Sequence, residues 1–158
     1  MFFRFDMKWV KSFEELTKES VDIAGGKGAS LGEMIQSGIP VPEGFVVLAD
    51  SFEQFIKETD LNAEIKAILG KVDVEVIHTV EEASEKIQSL ILNSKMPKDI
   101  AVEIISEFGE LGAKYVAVRS SATSEDSADA AWAGQLDTFL NTTKDNLLEN
   151  VKKCWASL

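Results

Sequence analysis

The sequence has little cysteine, histidine and positive charge. Its 158 residues include one cysteine and one histidine. A single cysteine permits no intrachain disulfide and no multi-cysteine metal site, and it favours a reducing, cytoplasmic location. The 16 Lys and Arg residues face 27 Asp and Glu residues, which gives a formal net charge of −11. This balance argues against broad electrostatic affinity for nucleic acid or anionic membranes, so any phosphate ligand must be held by a local site.

Long hydrophobic runs are also missing. The longest uncharged stretch, residues 34–42, has nine residues and two prolines, whereas a membrane helix needs about 20 apolar residues. Near residue 1, charged residues break up the apolar ones before a signal-peptide core forms. We therefore expect neither secretion nor a membrane partner. With 45% hydrophobic and 27% charged residues, the composition is that of an ordinary globular domain.

The first third of the chain predicts two helices around a short strand. Apolar residues at helical spacing predict a short helix over 29–37, which ends at Gly38. The glycine-rich residues before this helix are predicted to form a loop. The β-rich run at 44–49 predicts a buried strand, and Asp50 is placed to cap a following helix.

The middle of the chain predicts a helical scaffold. Three apolar periodicities in residues 60–112 predict helices, the first of which stops at Gly70. The sole histidine, His78, falls in a short strand-like stretch between two of them, beside no other candidate ligand or nucleophile. A surface or packing role therefore suits His78 better than catalysis.

The last part of the chain predicts a hairpin followed by a helix. A β-branched run over 115–118 ends directly in Arg119, and alternation over 135–140 predicts the returning strand. Small and hydroxylated residues between the two strands predict a long loop. The last helix starts near Thr143 and carries an apolar stripe, but no glycine, proline or polar tail ends it. We therefore expect the chain to be cut inside a longer structure.

One candidate anion site is the Gly-Gly-Lys-Gly run at residues 25–28. Glycines let backbone N–H groups approach an anion, the start of a helix favours negative charge, and Lys27 adds a positive charge. The spacing matches neither a P-loop nor the dinucleotide fingerprint. From these residues alone, a flexible turn at a helix start is the better explanation.

A second candidate is Arg119, at the end of a predicted strand and before two serines. Its guanidinium matches the geometry of phosphate oxygens, and an ion pair with Glu125 or Asp126 explains it equally well. The glycine- and hydroxyl-rich loop through Gly134 has the composition of a loop that folds over a nucleotide, and equally that of a mobile connection. On the residues alone, both questions stay open.

Five motifs follow one another along the chain: GGKGASLGEM at 25–34, GIPVPEGF at 38–45, VAVRSSATSED at 116–126, AGQ at 133–135 and CWASL at 154–158. In this order they resemble the nucleotide-binding domain of the phosphoenolpyruvate synthase and pyruvate phosphate dikinase family. The similarity extends from Val21 to the last residue, with a divergent helical middle. It implies an α+β fold for residues 1–158, an ATP-grasp-like N-terminal lobe with a mixed sheet and flanking helices.

The resemblance also implies a cofactor and residue roles. ATP is the implied cofactor, and Lys27 and Arg119 correspond to contacts with its phosphates, with Arg119 in a catalytic position. A glycine loop that covers the phosphates corresponds to Ala133, Gly134 and Gln135. Charge neutralisation and positioning are what phosphoryl transfer requires. The second lobe, the Mg²⁺ ligands, the phosphohistidine domain and the barrel that binds pyruvate are implied downstream of Leu158, so no metal ligand is expected in this chain.

Within the family, the serine-rich segment and the AGQ motif are similar to phosphoenolpyruvate synthases. The resemblance implies that the complete enzyme converts ATP, pyruvate and water to AMP, phosphoenolpyruvate and phosphate, whereas this chain alone is expected to be inactive. Residues 131–132 are Ala-Trp where relatives often have Ser-Phe, and residues 127–128 are Ser-Ala where Leu-Pro is common. A rifampicin phosphotransferase, a pyruvate phosphate dikinase and a stand-alone nucleotide-binding module without catalysis stay as alternatives.

Overall fold

Helices make up most of the described chain, and short strands lie between them. The computed structural model describes residues 8–123 and 137–157. Along these ranges the elements are β1 (Val10–Ser12), α1 (Val21–Gln36), β2 (Phe45–Val47), α2 (Ala49–Glu58), α3 (Leu61–Leu69), α4 (Ile77–Asn93), α5 (Lys98–Glu110), β3 (Val116–Arg119), β4 (Thr138–Thr142) and α6 (Leu147–Ala156). Two 3₁₀ turns, Phe13–Glu15 and Lys18–Ser20, join β1 to α1. None of the described helices is long and apolar enough to cross a membrane.

The strands form two small antiparallel sheets. Strand β1 pairs with β2, with Val10 opposite Val47. Strand β3 pairs with β4, with Arg119 opposite Thr138, and a register shift interrupts this ladder near Asn141, whose φ is 53°. The predicted combination of helices and strands is confirmed, and so is the pairing of the predicted hairpin strands. A mixed sheet is not formed, because within the described ranges both sheets are two-stranded and antiparallel.

The chain packs into two compact units. The described part of the first unit comprises residues 8–51, 99–113 and 121–123. The second unit comprises, in the same ranges, residues 52–98, 114–120 and 137–157. Each unit therefore gathers segments that are distant in sequence. Ser120 belongs to the second unit and Ser121 to the first, so the chain leaves one unit and enters the other between these two residues.

In the first unit, Trp9 anchors strand β1 to helix α5. Its backbone N–H donates to the Glu103 carboxylate at 3.0 Å, and its indole Nε1 donates to Asp99 at 3.1 Å. The Trp9 carbonyl accepts from the Ser51 hydroxyl at 2.7 Å and from the Leu48 amide at 2.9 Å. Since Trp9 and Ser51 are buried, these bonds satisfy polar groups that would otherwise be desolvated without a partner. The sequence pattern does not predict β1 or this anchor.

Helix α1 differs from its prediction at the start and agrees with it at the end. It begins at Val21, before the predicted range of 29–37, and Gly25 interrupts it with φ 71° and ψ 169°. At the other end, Gly38 has φ 73°, and its amide and the next one donate to carbonyls in the last turn. This is a Schellman cap, which the predicted stop at Gly38 anticipates.

In the second unit, helix α6 packs against α4, β3 and β4. One side of α6 is buried, and it carries Leu147, Asn150, Val151, Cys154 and Trp155. Three aromatic rings also pack there, with ring centroids between 5.2 and 6.3 Å apart: Phe52, Phe55 and Trp155. The predicted stripe on this helix is thus confirmed. The helix starts later than near Thr143, because the Thr143 amide donates to the Asn146 side chain at 2.7 Å and a turn forms first.

The three helices predicted for residues 60–112 are confirmed as α3, α4 and α5. Two local predictions are wrong. Asp50 lies inside the first turn of α2 and is not its N-cap, because the helix begins one residue earlier. His78 lies exposed in the first turn of α4 and not in a strand, because the Thr79 hydroxyl donates to the Asp73 carbonyl at 2.8 Å and closes a turn there.

The only cysteine, Cys154, lies in the second unit with 6% of its surface exposed. Burial raises the pKa of its thiol above the ordinary value, and the interaction with the Ser120 side chain opposes this rise only in part. The thiolate is the reactive form of cysteine. Cys154 therefore acts as a small apolar core residue in this fold.

We expect Cys154 to react with an aromatic disulfide reagent roughly 100-fold more slowly in the folded chain than in denaturant at pH 8, because the thiol is buried and neutral. The raised pKa also determines how the free energy of unfolding depends on pH. Burial of the neutral thiol stabilises the fold below the ordinary thiol pKa, and this contribution is lost as the pH rises through the pKa of the thiol in the folded chain. Release of the coloured leaving group measures the rate, and equal rates in the two states would contradict the assignment.

Candidate functional site

Ser121 lies against the glycine run 25–28 within the first unit. Gly25 has a φ of 71° and a ψ of 169°, a backbone conformation that is essentially restricted to glycine. An ideal Cβ at this position would lie 2.5 Å from the carbonyl carbon of Ser121. Glycine is therefore required at position 25 both by the backbone conformation and by the close approach of the Ser121 main chain.

The Ser121 hydroxyl is inserted into the hydrogen-bond ladder of α1. It donates to the Ala24 carbonyl at 2.8 Å and accepts from the Gly28 amide at 3.1 Å. In an uninterrupted α-helix, the amide of residue 28 donates directly to the carbonyl of residue 24. A side chain that enters this ladder is a known cause of a sharp kink. The hydroxyl of Ser121 thus accounts for the kink at Gly25.

The backbone amides on either side of Lys27 have partners within the protein. The Gly26 amide donates to the Ala122 carbonyl at 3.2 Å, and the Gly28 amide donates to Ser121. This differs from the expectation that glycine amides converge on a phosphate, because these two are already used. Lys27 lies between them and is half-buried. The glycine run therefore shapes the backbone around Lys27, and the lysine side chain is the candidate contact to an anion.

Arg119 is the last residue of strand β3, opposite Thr138, and it is exposed. The next residue, Ser120, is buried, and both its amide and its hydroxyl donate to the Asp137 carbonyl, at 3.3 and 3.1 Å. These two bonds hold the strand end that carries Arg119. An exposed guanidinium on a fixed strand end suits the recognition of an anionic group.

The predicted site residues are distributed over both units and a part of the chain outside the described ranges. Lys27 belongs to the first unit and Arg119 to the second, and each is described within its own unit. Residues 133–135, the predicted phosphate-covering loop, lie outside the described residues. Glu125 and Asp126, the alternative ion-pair partners of Arg119, lie outside them too. Both interpretations of Arg119 therefore stay predictions.

Sequence reasoning missed the role of Ser121. The serine falls in a motif that is rich in hydroxyl groups, and nothing in the motif singles out its partners. The available signal was the spacing of three glycines in residues 25–28, since closely spaced glycines allow a second backbone to approach. In the ranges that the structure describes, no group of three or more His, Cys, Asp or Glu side chains is arranged to hold a metal ion.

The chain is similar to one protein family and to several known enzymes. Residues 21–158 match a family model described as pyruvate phosphate dikinase, AMP/ATP-binding domain. The chain is 46% identical over 159 residues to a probable phosphoenolpyruvate synthase of Methanocaldococcus jannaschii, covering 96% of this chain and 13% of that protein. It is 39% identical over 190 residues to the phosphoenolpyruvate synthase of Pyrococcus furiosus, covering 96% and 23%. A phosphoenolpyruvate synthase of Helicobacter pylori is 38% identical over 163 residues, with 96% and 20% covered.

The chain spans less than a quarter of the length of these three relatives. The alignments cover nearly all of this chain. The glycine run and the strand that ends in Arg119 both fall within residues 21–158, the range that the family model matches. The predicted resemblance to this family is confirmed.

We expect Gly25→Ala to lower the free energy of unfolding by about 3 kcal/mol or more, because it adds both backbone strain and a clash with Ser121. Gly38→Ala is the matched control. Gly38 also has a positive φ, but its Cβ position is open, so a loss of only about 1–2 kcal/mol is expected. Chemical denaturation of the two variants measures the difference. Equal losses would contradict the tight packing of Ser121 against Gly25.

Proposed function

The chain belongs to the pyruvate phosphate dikinase AMP/ATP-binding domain family, and from this membership we propose that it forms the N-terminal lobe of an ATP-binding domain in a larger, phosphoenolpyruvate synthase-like enzyme. That enzyme would convert ATP, pyruvate and water to AMP, phosphoenolpyruvate and phosphate. The observation that carries the proposal is the family match over residues 21–158. Its support is the identity of 38–46% to phosphoenolpyruvate synthases that are several times longer.

In this proposal, Lys27 and Arg119 contact the phosphates of ATP. The chain has a net charge of −11, so its overall field repels a nucleotide triphosphate and binding needs local positive charge. Lys27 supplies a compact point charge, and Arg119 supplies a planar fork that matches two phosphate oxygens. In phosphoryl transfer, such groups neutralise the charge that is spread over the transferred phosphate. Arg119 is the residue to which we assign this catalytic role.

The proposal assigns other parts of the site to a loop of this chain and to the rest of the polypeptide. The loop through Ala133, Gly134 and Gln135 would cover the phosphates and exclude water. Residues in the second lobe of an ATP-grasp fold, beyond this chain, would hold Mg²⁺, which would supply positive charge to the phosphates. The proposed phosphohistidine domain and pyruvate-binding barrel also lie beyond it, and we place the whole enzyme in the cytoplasm.

The assignment of Lys27 and Arg119 is tested by removing each charge in the full-length polypeptide. We expect Lys27→Met and Arg119→Met each to weaken ATP binding roughly 10-fold or more, because a charge-assisted contact to phosphate is lost. Adenosine, which has no phosphate, should bind all variants alike. Isothermal titration with ATP and with adenosine measures both affinities, and Lys66→Met, an exposed lysine of α3, is the matched control. Unchanged ATP affinity in both variants of a protein that binds ATP would overturn the assignment.

A second test concerns the 158 residues alone. We expect this chain to form no AMP from ATP in the presence of pyruvate, because the groups that accept and relay the phosphate are proposed to lie outside it. Chromatographic separation of AMP, ADP and ATP after incubation measures the product, with the full-length polypeptide as the positive control. Pyruvate-dependent AMP from the isolated chain would contradict the proposed division of labour.

A further inference from the structure

We infer that Ser121 is a positioning residue for Lys27, and this inference rests on the proposed function of Lys27 as a contact to the phosphates of ATP. The Ser121 hydroxyl makes two hydrogen bonds to α1, to the Ala24 carbonyl and from the Gly28 amide. These two groups lie on the N-terminal and C-terminal sides of Lys27 in the chain. One hydroxyl therefore holds both ends of the backbone segment that carries the lysine.

The main chain beside Ser121 adds to this hold. The Gly26 amide, next to Lys27, donates to the Ala122 carbonyl at 3.2 Å, which is a partner outside the helix. An ideal Cβ at Gly25 would overlap the Ser121 main chain, so the two backbones are in direct contact at the kink. Residues 24–28 are thus held by Ser121 and Ala122 through side-chain and main-chain contacts together.

The kink departs from a regular helix at a residue that has no side chain. Gly25 occupies a backbone conformation that glycine adopts readily and that other residues rarely adopt. A straight helix would gain the direct bond between the Gly28 amide and the Ala24 carbonyl. The inserted hydroxyl of Ser121 replaces that bond and keeps the helix bent. The bend sets the direction in which the Lys27 side chain leaves the backbone.

Loss of the hydroxyl frees the two α1 groups to bond to each other. In Ser121→Ala, the Gly28 amide and the Ala24 carbonyl can form the regular helical bond, and the segment of Lys27 then turns with the backbone. No charge is removed, and Lys27 is still present. The expected result is a lysine that is displaced from the phosphates, so that binding energy is spent on returning it to place.

A double-mutant cycle with Lys27 separates positioning from simple stability. In the full-length polypeptide, we expect Ser121→Ala to weaken ATP binding about 5- to 10-fold when Lys27 is present, and less than about 2-fold in the Lys27→Met background. Adenosine affinity should not change in any of these variants. Isothermal titration gives the affinities, and thermal unfolding gives the stability of each variant. Because Ser121→Ala also removes bonds from the fold, its loss of stability should be the same in both backgrounds.

Ser51→Ala is the matched control. Ser51 is a buried serine of the same unit whose hydroxyl donates to the Trp9 carbonyl at 2.7 Å, so the variant also loses a buried hydrogen bond. It should lower stability without weakening ATP binding. If Ser121→Ala does not fold, Ser121→Cys takes its place, because a thiol fills the space of the hydroxyl and forms only weak hydrogen bonds.

The outcomes distinguish this inference from the proposed function. Equal weakening by Ser121→Ala in both Lys27 backgrounds, or no weakening in either, would overturn the positioning role while ATP binding through Lys27 stands. An unaltered ATP affinity in Lys27→Met would overturn the assignment of Lys27 together with the inference. Absence of ATP binding by the unmodified polypeptide would overturn the proposed function itself. Weakening that depends on Lys27 and is specific to ATP supports the positioning role.

Discussion

The local structure of the first unit around α1 depends on one hydroxyl group placed between two backbone groups. Ser121 takes the position that a direct helical hydrogen bond would occupy, between the Ala24 carbonyl and the Gly28 amide. The kink accompanies that insertion, the close approach of the Ser121 main chain requires glycine at position 25, and the Gly26 amide donates to the Ala122 carbonyl. Residues 24–28 and Ser121, which are far apart in the sequence, are thereby held together. Lys27, which we propose as a contact to the phosphates of ATP, lies inside it.

This arrangement also changes how the glycines are understood. A glycine-rich run before a helix is commonly a cradle of free amides for a phosphate. Here the amides of Gly26 and Gly28 already bond to Ala122 and Ser121, and an ideal Cβ at Gly32 would lie 2.5 Å from the Leu16 carbonyl. The glycines mainly allow backbones to approach each other. In an acidic chain, the positive charge for a nucleotide must then come from side chains, and only local placement of those side chains overcomes the unfavourable field.

The sequence predicts the helices, strands and caps that arise from patterns of neighbouring residues. The helices α3, α4 and α5, the Schellman cap at Gly38, the buried stripe of α6 and the pairing of the strands around Arg119 all follow from periodicity and from capping residues. Errors occur where a distant residue intervenes. Strand β1 was missed, since its three residues are held by β2 and by the side chains of α5, which no short window of sequence contains. The sequence predicts the start of α1 too late, because a glycine-rich segment is typical of a loop.

The sequence by itself determined the family, through five motifs in a fixed order, and with it the candidate residues Lys27 and Arg119. It also determined the acidic charge and the single thiol, because composition does not depend on folding. Only the tertiary structure decided what Ser121 does, since a serine hydroxyl bonds whichever groups the fold brings to it. The same is true of the two glycine amides, whose partners lie more than ninety residues away along the chain. Hydrogen bonds of such long sequence separation have no periodicity, and only folding brings their partners together.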